Sequence, residues 1–392
     1  MSVHQQNPAA ERARALKAVL AERAPAAGAL RRIPDETMAD LHDAGFLRLL
    51  QPSRWGGAEA HPGLFFEVQS TLAAGCPSTA WVLGVLGVHA WQLALFPLEA
   101  QEEVWGRDPT TLISSSYAPT GKVERAPGGY KISGRWSFSS GCDHARWAFL
   151  GGFVPPDKAG DPPDMRTFLV PCADYKIDDN WHTMGLRATG SKDVVVDGAF
   201  VPEHRTHRLI DGFKLKSPGN PHNPAPLYRL PFGQIFVRSV STSAIGIAQG
   251  ALDAYRAVTA KRIAASDGGK VAEDPAAQMV CARAAAEIDG VRVVLHRNMD
   301  ELMSLVTAER ELPMERRVQF RLDSSLAVER CVAAVDMLFT ASGGRAIFEG
   351  SPIQRFFLDA HSARAHYANN PDKPGRNAGG VMLGLRTTDY FL

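Results

Sequence analysis

The chain has 392 residues, of which 45% are hydrophobic and 22% charged, with 43 basic residues against 42 acidic ones. That length exceeds one small core and implies two or three subdomains. A net charge of +1, with no run of four basic residues, excludes a dedicated nucleic-acid or anionic-membrane surface.

The first 110 or so residues read as helices. "AAERARALKAVLAERAPAA" is one, and "PDETMADLHDAGF" is another, with Asp35 expected as its N-cap and Gly45 as its stop. A third runs from about Pro62 to Ala74. The most apolar stretch, "TAWVLGVLGVHAWQLALFP" (residues 79–97), approaches the length of a membrane span. Thr79, His89, Gln92, two glycines and the absence of a basic flank make it a buried helix instead. "PLEAQEEVWG" adds a short helix.

From about Leu112 the apolar runs shorten and Gly and Pro multiply. "GYKISGRWSFSSG", "RWAFLGGFV", "RTFLVP" and "SKDVVVDGAFVP" each predict a strand bounded by turn residues, and 155–165 predicts a loop. Residues 211–230 are an irregular connector containing "SPGNPHNPAP". After it the helical period returns. Val237, Val240, Ala244, Ala248, Ala251, Tyr255 and Val258 mark one helix face. Val280 to Leu302 mark a second helix and Val318 to Phe339 a third, and "RFFLDAHSARAHYANN" begins a fourth after a Gly-Gly turn. Long helices with short connections predict an antiparallel four-helix bundle with alanine-rich, closely approaching faces. The expected regions are 1–111 (helical), 112–212 (a small antiparallel sheet or barrel) and 213–392 (bundle).

Cys76, Cys142, Cys172, Cys281 and Cys331 are odd in number and include no CxxC pair, which suggests neither a disulfide framework nor a zinc knuckle. No HExxH or carboxylate cluster appears, so no metal is expected. No GxGxxG or P-loop appears either, so NAD(P)H binding in a nucleotide fold is not indicated. The polar start of the chain reads as no signal peptide, and a reduced, cytoplasmic protein is expected.

Helices, then a small β region, then a four-helix bundle is the layout of the acyl-CoA dehydrogenase fold. "LHDAGFLRLLQPSRWGG", "GGYKISGRWSFSSGCDHARWAFLGG", "MGLRATGSKDVVVDGAFVP", "AIGIAQGALDAY" and "GGRAIFEGSPIQRFFLDAH" resemble successive motifs of that superfamily, in its order, over roughly residues 10–390. The dehydrogenases of the superfamily carry a catalytic glutamate about twelve residues after the arginine that follows a proline. Counting from Pro352 and Arg355 lands on His366 and Tyr367. Glu349, in a tempting "FEG", precedes the proline. A tyrosine, with its pKa near ~10, is no base for an α-proton at neutral pH.

In "GGYKISGRWSFSSGCDHARWAFLGG", in "PLYRLPFG" and in a histidine late in the chain, the sequence more closely resembles the flavin-dependent monooxygenases of the fold, the oxygenase components that hydroxylate 4-hydroxyphenylacetate and the phenol ring of degraded steroids. The resemblance implies hydroxylation of a small, phenolic aromatic through a C4a-hydroperoxyflavin. Reduced flavin (FMNH2 or FADH2) and O2 are co-substrates, a separate NAD(P)H:flavin reductase is a partner, and the assembly is a homotetramer. Within the fold the alternatives are an acyl-CoA dehydrogenase or an N- or S-oxygenating enzyme. Outside catalysis the alternative is a helical interaction scaffold.

The resemblance also suggests roles. His89, in an apolar wall, would accept the phenol's hydrogen bond, and Ser115 of "SSS" would contact substrate. Ser140, or its neighbour Ser139, would bond flavin N5, with Trp136 and Phe138 either beside the ring or in the core. Arg229 would approach the pyrimidine edge, and Arg262, next to Lys261, a flavin phosphate, each being equally readable as a solvated cation. His366 would face the flavin and handle a proton there. His361 would be scaffold, or a partner that supports His366.

Overall fold

The computed structural model describes residues 3–156, 158, 160, 162–264 and 268–392. The first region holds α1 (Pro8–Leu30), α2 (Asp35–Asp43), α3 (Pro62–Ala73), α4 (Pro77–Leu93) and α5 (Leu98–Trp105). Proline sets several starts: α1, α3 and α4 each carry one in the first turn, where the missing N–H costs no helical bond. Asp35 is the first residue of α2 rather than its cap, which is Pro34. Gly45, at φ 73°, ends that segment in a conformation few other residues adopt.

Among the described residues eight strands follow: β1 (Ile113–Ser116), β2 (Lys122–Ala126), β3 (Gly129–Ser139), β4 (Trp147–Val154), β5 (Asp164–Pro171), β6 (Tyr175–Asp178), β7 (Lys192–Pro202) and β8 (Thr206–Arg208). They form two four-stranded sheets, ordered β1-β4-β5-β8 and β2-β3-β7-β6. All pairings are antiparallel except β1 with β4, which run parallel. The alternation of β3 and β7 buries Ile132, Trp136, Val194 and Val196 against Ala148, Leu150, Phe168 and Val170 of the other sheet. Trp136 bridges the two sheets by donating its indole N–H to Gly151 O at 2.8 Å.

After α6 (Leu209–Phe213) come the long helices α7 (Phe232–Thr259), α8 (Pro275–Thr307) and α9 (Met314–Ser342), then α10 (Pro352–Arg364) and α11 (Asp372–Met382). α7 is the axis of the bundle and is apolar and long enough to cross a membrane, but 94% of that window is buried inside the protein. Its glycines let neighbours close in. A Cβ on Gly246 would meet Ser70 O at 2.1 Å, and one on Gly250 would meet the Phe356 ring at 2.4 Å. α4, buried along almost its whole length, lies between β1 and α7 and so joins the β region to the bundle.

Candidate active site

α4 supplies two of the residues that matter, Trp81 and His89. His89 is fully buried. Its Nδ1 sits 2.5 Å from Ile113 O in β1, and a carbonyl can only accept, so Nδ1 carries the proton. Nε2 is then a bare lone pair, buried and without a protein partner. Burial pushes the imidazole pKa down to about 4, which keeps the ring neutral. The walls around it are aromatic: Phe149 at 5.7 Å and Tyr117 at 6.2 Å, both edge-on.

Tyr117, just past β1, donates its phenol O–H to Gln92 Oε1 of α4. Burial raises its pKa, and the Ser115 hydroxyl is one of its hydrogen-bond neighbours. The Tyr117 ring also meets Phe232 at 5.4 Å and Phe236 at 5.0 Å, one turn apart on α7. Phe391 packs edge-on against both at 5.5 and 5.8 Å.

His366 caps the short turn that follows α10. Its Nδ1 accepts the Ala368 N–H at 3.1 Å, so the neutral ring carries its proton on Nε2. Burial, with the nearby Arg321 guanidinium, pushes its pKa down to about 4. The ring meets Trp81 edge-on at 5.6 Å and Phe236 at 6.2 Å. His361 turns the other way: its Nε2 pairs with Asp336 of α9 at 2.7 Å and its ring lies on Phe357. Tyr367, which with His366 is where the count to the dehydrogenases' glutamate lands, is 69% exposed, and Glu349 lies exposed in the preceding turn.

The end of β3 closes the ring of residues. Trp81 donates its indole N–H to Ser140 Oγ at 3.2 Å. Ser140 in turn lies 2.6 Å from Ser191 Oγ. The register of β3 on β7 slips between Trp136 and Ser139, and within that bulge Phe138 adopts φ 66°, rare for a bulky residue. The bulge turns Phe138 outward, leaving it 69% exposed and edge-on to Trp181 at 6.1 Å. Ser139, fully buried, has a hydroxyl without a protein partner.

The structure thus links Ser140, Trp81, His366, Phe236, Tyr117 and His89 in one chain of contacts, with Ser115 beside Tyr117. Trp136 belongs to the β core. Arg229 pairs with the exposed Glu309 at 3.0 Å. Arg262 donates to Ser342 O at 2.9 Å, at the end of α9 beside the Gly343 turn. Their bonds lie outside that chain of contacts. Sequence reasoning passed over Trp81, Tyr117, Phe232, Phe236, Phe391, Thr189 and Ser191. Two signals were available: Tyr117 follows Ser115 at the strand period, and Phe232 and Phe236 stand at the helical i, i+4 spacing.

These residues suit a planar heteroaromatic cofactor. A solvent-facing Phe138 ring offers a platform, and the buried Ser139 Oγ has no protein partner. Among the described residues, His4, His61 and Asp300 have the spacing of metal ligands, all within 4.8 Å. But His61 Nδ1 accepts the Gly63 N–H at 3.0 Å, which leaves the proton on Nε2, the atom that would ligate. The group is better described as imidazole N–H groups around a carboxylate.

Comparisons with known proteins place the family. Residues 239–371 match the family model for the acyl-CoA dehydrogenase C-terminal domain. The chain is 44% identical to the flavin-dependent monooxygenase oxygenase subunit HsaA of Rhodococcus jostii, over 97% of this chain and all of that one. It is 34% identical to the oxygenase component of an FADH2-dependent resorcinol hydroxylase of a Rhizobium species, over 92% of this chain and 90% of the relative. Among solved structures, the 3-HSA hydroxylase of a Rhodococcus species superposes with a TM-score of 0.95 at 43% identity, covering 99% of this chain and all of that one.

Proposed function

This chain belongs to the oxygenase components of flavin-dependent monooxygenases built on the acyl-CoA dehydrogenase fold, and we propose that it hydroxylates a small phenol at the site lined by His89, Tyr117, Ser140 and His366. The observation that carries the reading is the bare Nε2 of His89, a neutral acceptor in an aromatic wall. A buried acceptor without a partner is costly, and a phenol O–H supplies the missing donor. That bond shifts electron density onto the substrate ring, which the reaction needs at the carbon being oxygenated.

Reduced flavin, when bound, would supply the two electrons that activate O2, one atom of which enters the product while the other leaves as water. The protein's own residues do the rest. Phe138 of the β3 bulge and Ser140 just past the strand would hold the ring system, with Ser139 between them. His366, held as the Nε2–H tautomer by Ala368, places a neutral donor across from them. Trp81 ties Ser140 to His366, so the two sides keep a fixed relation. Tyr117, Phe232, Phe236 and Phe391 exclude water and fit a flat apolar substrate. Ser115, beside the Tyr117 phenol, would orient it. Arg229 would approach the pyrimidine edge of the ring and Arg262 a flavin phosphate.

The reduced flavin would come from a separate NAD(P)H:flavin reductase, since no nucleotide-binding motif is present. We read the enzyme as a cytoplasmic homotetramer. In support, all five cysteines are free thiols. Ile347, Phe348, Met382, Leu383 and Leu385 are apolar side chains 64–84% exposed, as surfaces awaiting other subunits are. Light scattering of the purified protein checks the assembly.

The reading is tested by supplying the protein with a flavin reductase, NADH and a panel of phenols under 18O2. The expected result is a catechol carrying one 18O atom. Conversion of an acyl-CoA to its enoyl product, with no phenol hydroxylated, overturns it.

A further inference from the structure

The hydroxyl groups behind Ser140 form a chain whose proton direction is fixed. Thr189 Oγ1 lies 2.9 Å from Leu186 O. A carbonyl cannot donate, so the Thr189 proton goes to Leu186. Ser191 Oγ lies 2.7 Å from Thr189 Oγ1, whose proton is already committed, so Ser191 donates to Thr189. Ser140 Oγ lies 2.6 Å from Ser191 Oγ, whose proton is now committed as well, so Ser140 donates to Ser191. Trp81 Nε1–H donates to Ser140 at 3.2 Å and takes one lone pair. Ser140 is left with no proton to give and one lone pair to offer.

The anchor of this chain is held from several directions. Leu186 sits at φ 49°, and its N–H donates to Asp359 Oδ1 of α10 at 2.6 Å. Its carbonyl also accepts the Trp181 indole N–H at 3.1 Å and the Thr189 N–H at 3.1 Å. Carbonyl crowding does not reverse the direction, because a Thr189 hydroxyl that failed to donate would set its lone pairs against the carbonyl's at 2.9 Å. Thr189 and Ser191 are almost wholly buried, so water does not compete for their protons.

We infer that Ser191 and Thr189 are positioning residues that hold Ser140 as a pure hydrogen-bond acceptor, and thereby make the site select the reduced flavin ring over the oxidised one. The inference rests on the reading that Ser140 meets flavin N5. Reduced flavin carries a hydrogen on N5 and donates. Oxidised flavin presents a lone pair there and accepts. An acceptor-only Ser140 satisfies the first and opposes the second. A reversed chain would do the opposite with the same residues. An oxygenase that receives reduced flavin from another protein, and must release it oxidised, gains from that polarity.

The test is anaerobic titration of the protein with FMN and FAD, each oxidised and photoreduced, giving the ratio of the two dissociation constants. Ser191→Ala frees the Ser140 proton to swing toward an oxidised N5. So does Thr189→Val, by freeing Ser191 to donate to Ser140. In both, the preference for reduced flavin is expected to narrow by about tenfold, the scale of one neutral hydrogen bond, which lowers the bound flavin's two-electron potential by about 30 mV. Ser191→Thr, which keeps the hydroxyl, restores the wild-type ratio. In the Ser140→Ala background, Ser191→Ala changes nothing further.

An unchanged ratio in folded Ser191→Ala and Thr189→Val, with Ser140→Ala altering flavin affinity, overturns the inference and leaves Ser140 at the flavin. No effect of Ser140→Ala on either redox form removes Ser140 from the cofactor and takes the underlying reading with it. Matching far-UV spectra and melting midpoints qualify each variant, and Thr189→Val carries the test if Ser191→Ala does not fold.

Discussion

His89 and His366 are the same residue type, both neutral, both with a pKa pushed down to about 4, and the backbone sets them up in opposite ways. On the α4 side a strand carbonyl takes the Nδ1 proton, and Nε2 becomes an acceptor. On the α10 side a backbone N–H occupies Nδ1, and Nε2 becomes a donor. The division of labour is written in the main chain. Residue type says that an imidazole is present, and the backbone partner says what it can do.

The largest expected effect comes from removing the acceptor while keeping a ring. His89→Phe should lower kcat/KM for hydroxylation by roughly 10²–10³-fold, within the range for a positioned acid–base group, with reduced-flavin binding unchanged in anaerobic titration. A variant that hydroxylates at the wild-type rate would break the contrast, because no acceptor would then be needed on the α4 side.

Acid stability sharpens the same contrast. A histidine whose folded pKa lies below its unfolded value of ~6.5 stabilises the fold fully above that pH, and the contribution is lost as pH falls toward the folded pKa. Fully buried His89, at about 4, should therefore withdraw roughly 2 kcal/mol between pH 7 and pH 5. Buried His207, also at about 4, adds a loss of the same sign. Asp359, raised to about 6 by burial, opposes them, since its protonated form is the one the fold favours and its contribution is lost as pH rises through that value. Urea midpoints at pH 7 and pH 5 should thus fall less in His89→Phe than in the wild type. His366, partly exposed, should show a smaller change. Equal changes for the two would mean that burial does not distinguish them.

On the other side, His366→Ala should leave flavin reoxidation running and divert it, with product per NADH falling about tenfold and H2O2 rising to match, the scale of one lost neutral hydrogen bond. Peroxide and product measured in the same reaction decide it. Full coupling removes His366 from the mechanism.

Much of this was legible in the sequence. The 3.6-residue period placed α7, α8 and α9, and the short apolar runs placed β3, β4, β5 and β7. The displaced glutamate drew attention to His366. What was not legible depends on partners far away in the chain. The parallel pairing of β1 with β4 has no local signal. Nor does the tautomer of His89, set by Ile113, or the direction of the Ser140 hydroxyl, set by Ser191, fifty-one residues on, and ultimately by Leu186. Phe138 could be read as core or site from its place in a strand. Only the bulge, with its positive φ, turns the ring outward.

The smallest effect concerns the residue that joins the two sides. Trp81 gives its N–H to Ser140 and its ring edge to His366. Trp81→Phe keeps an aromatic ring beside His366 and deletes the N–H. Ser140 then has a second free lone pair but still no proton to offer, because Ser191 continues to take it. The acceptor character of Ser140 should survive, and only its position should loosen. The expected cost is about 1 kcal/mol of stability, the net worth of one neutral hydrogen bond, with a two- to threefold fall in coupling, on the order of a few tenths of a kcal/mol. A loss as large as that of His366→Ala would show that the two sides act as one unit through Trp81. A double-mutant cycle with Trp81→Phe and His366→Ala measures that directly: additive effects mean that two separately built sides share a wall, and a large coupling energy means that the wall is part of the site.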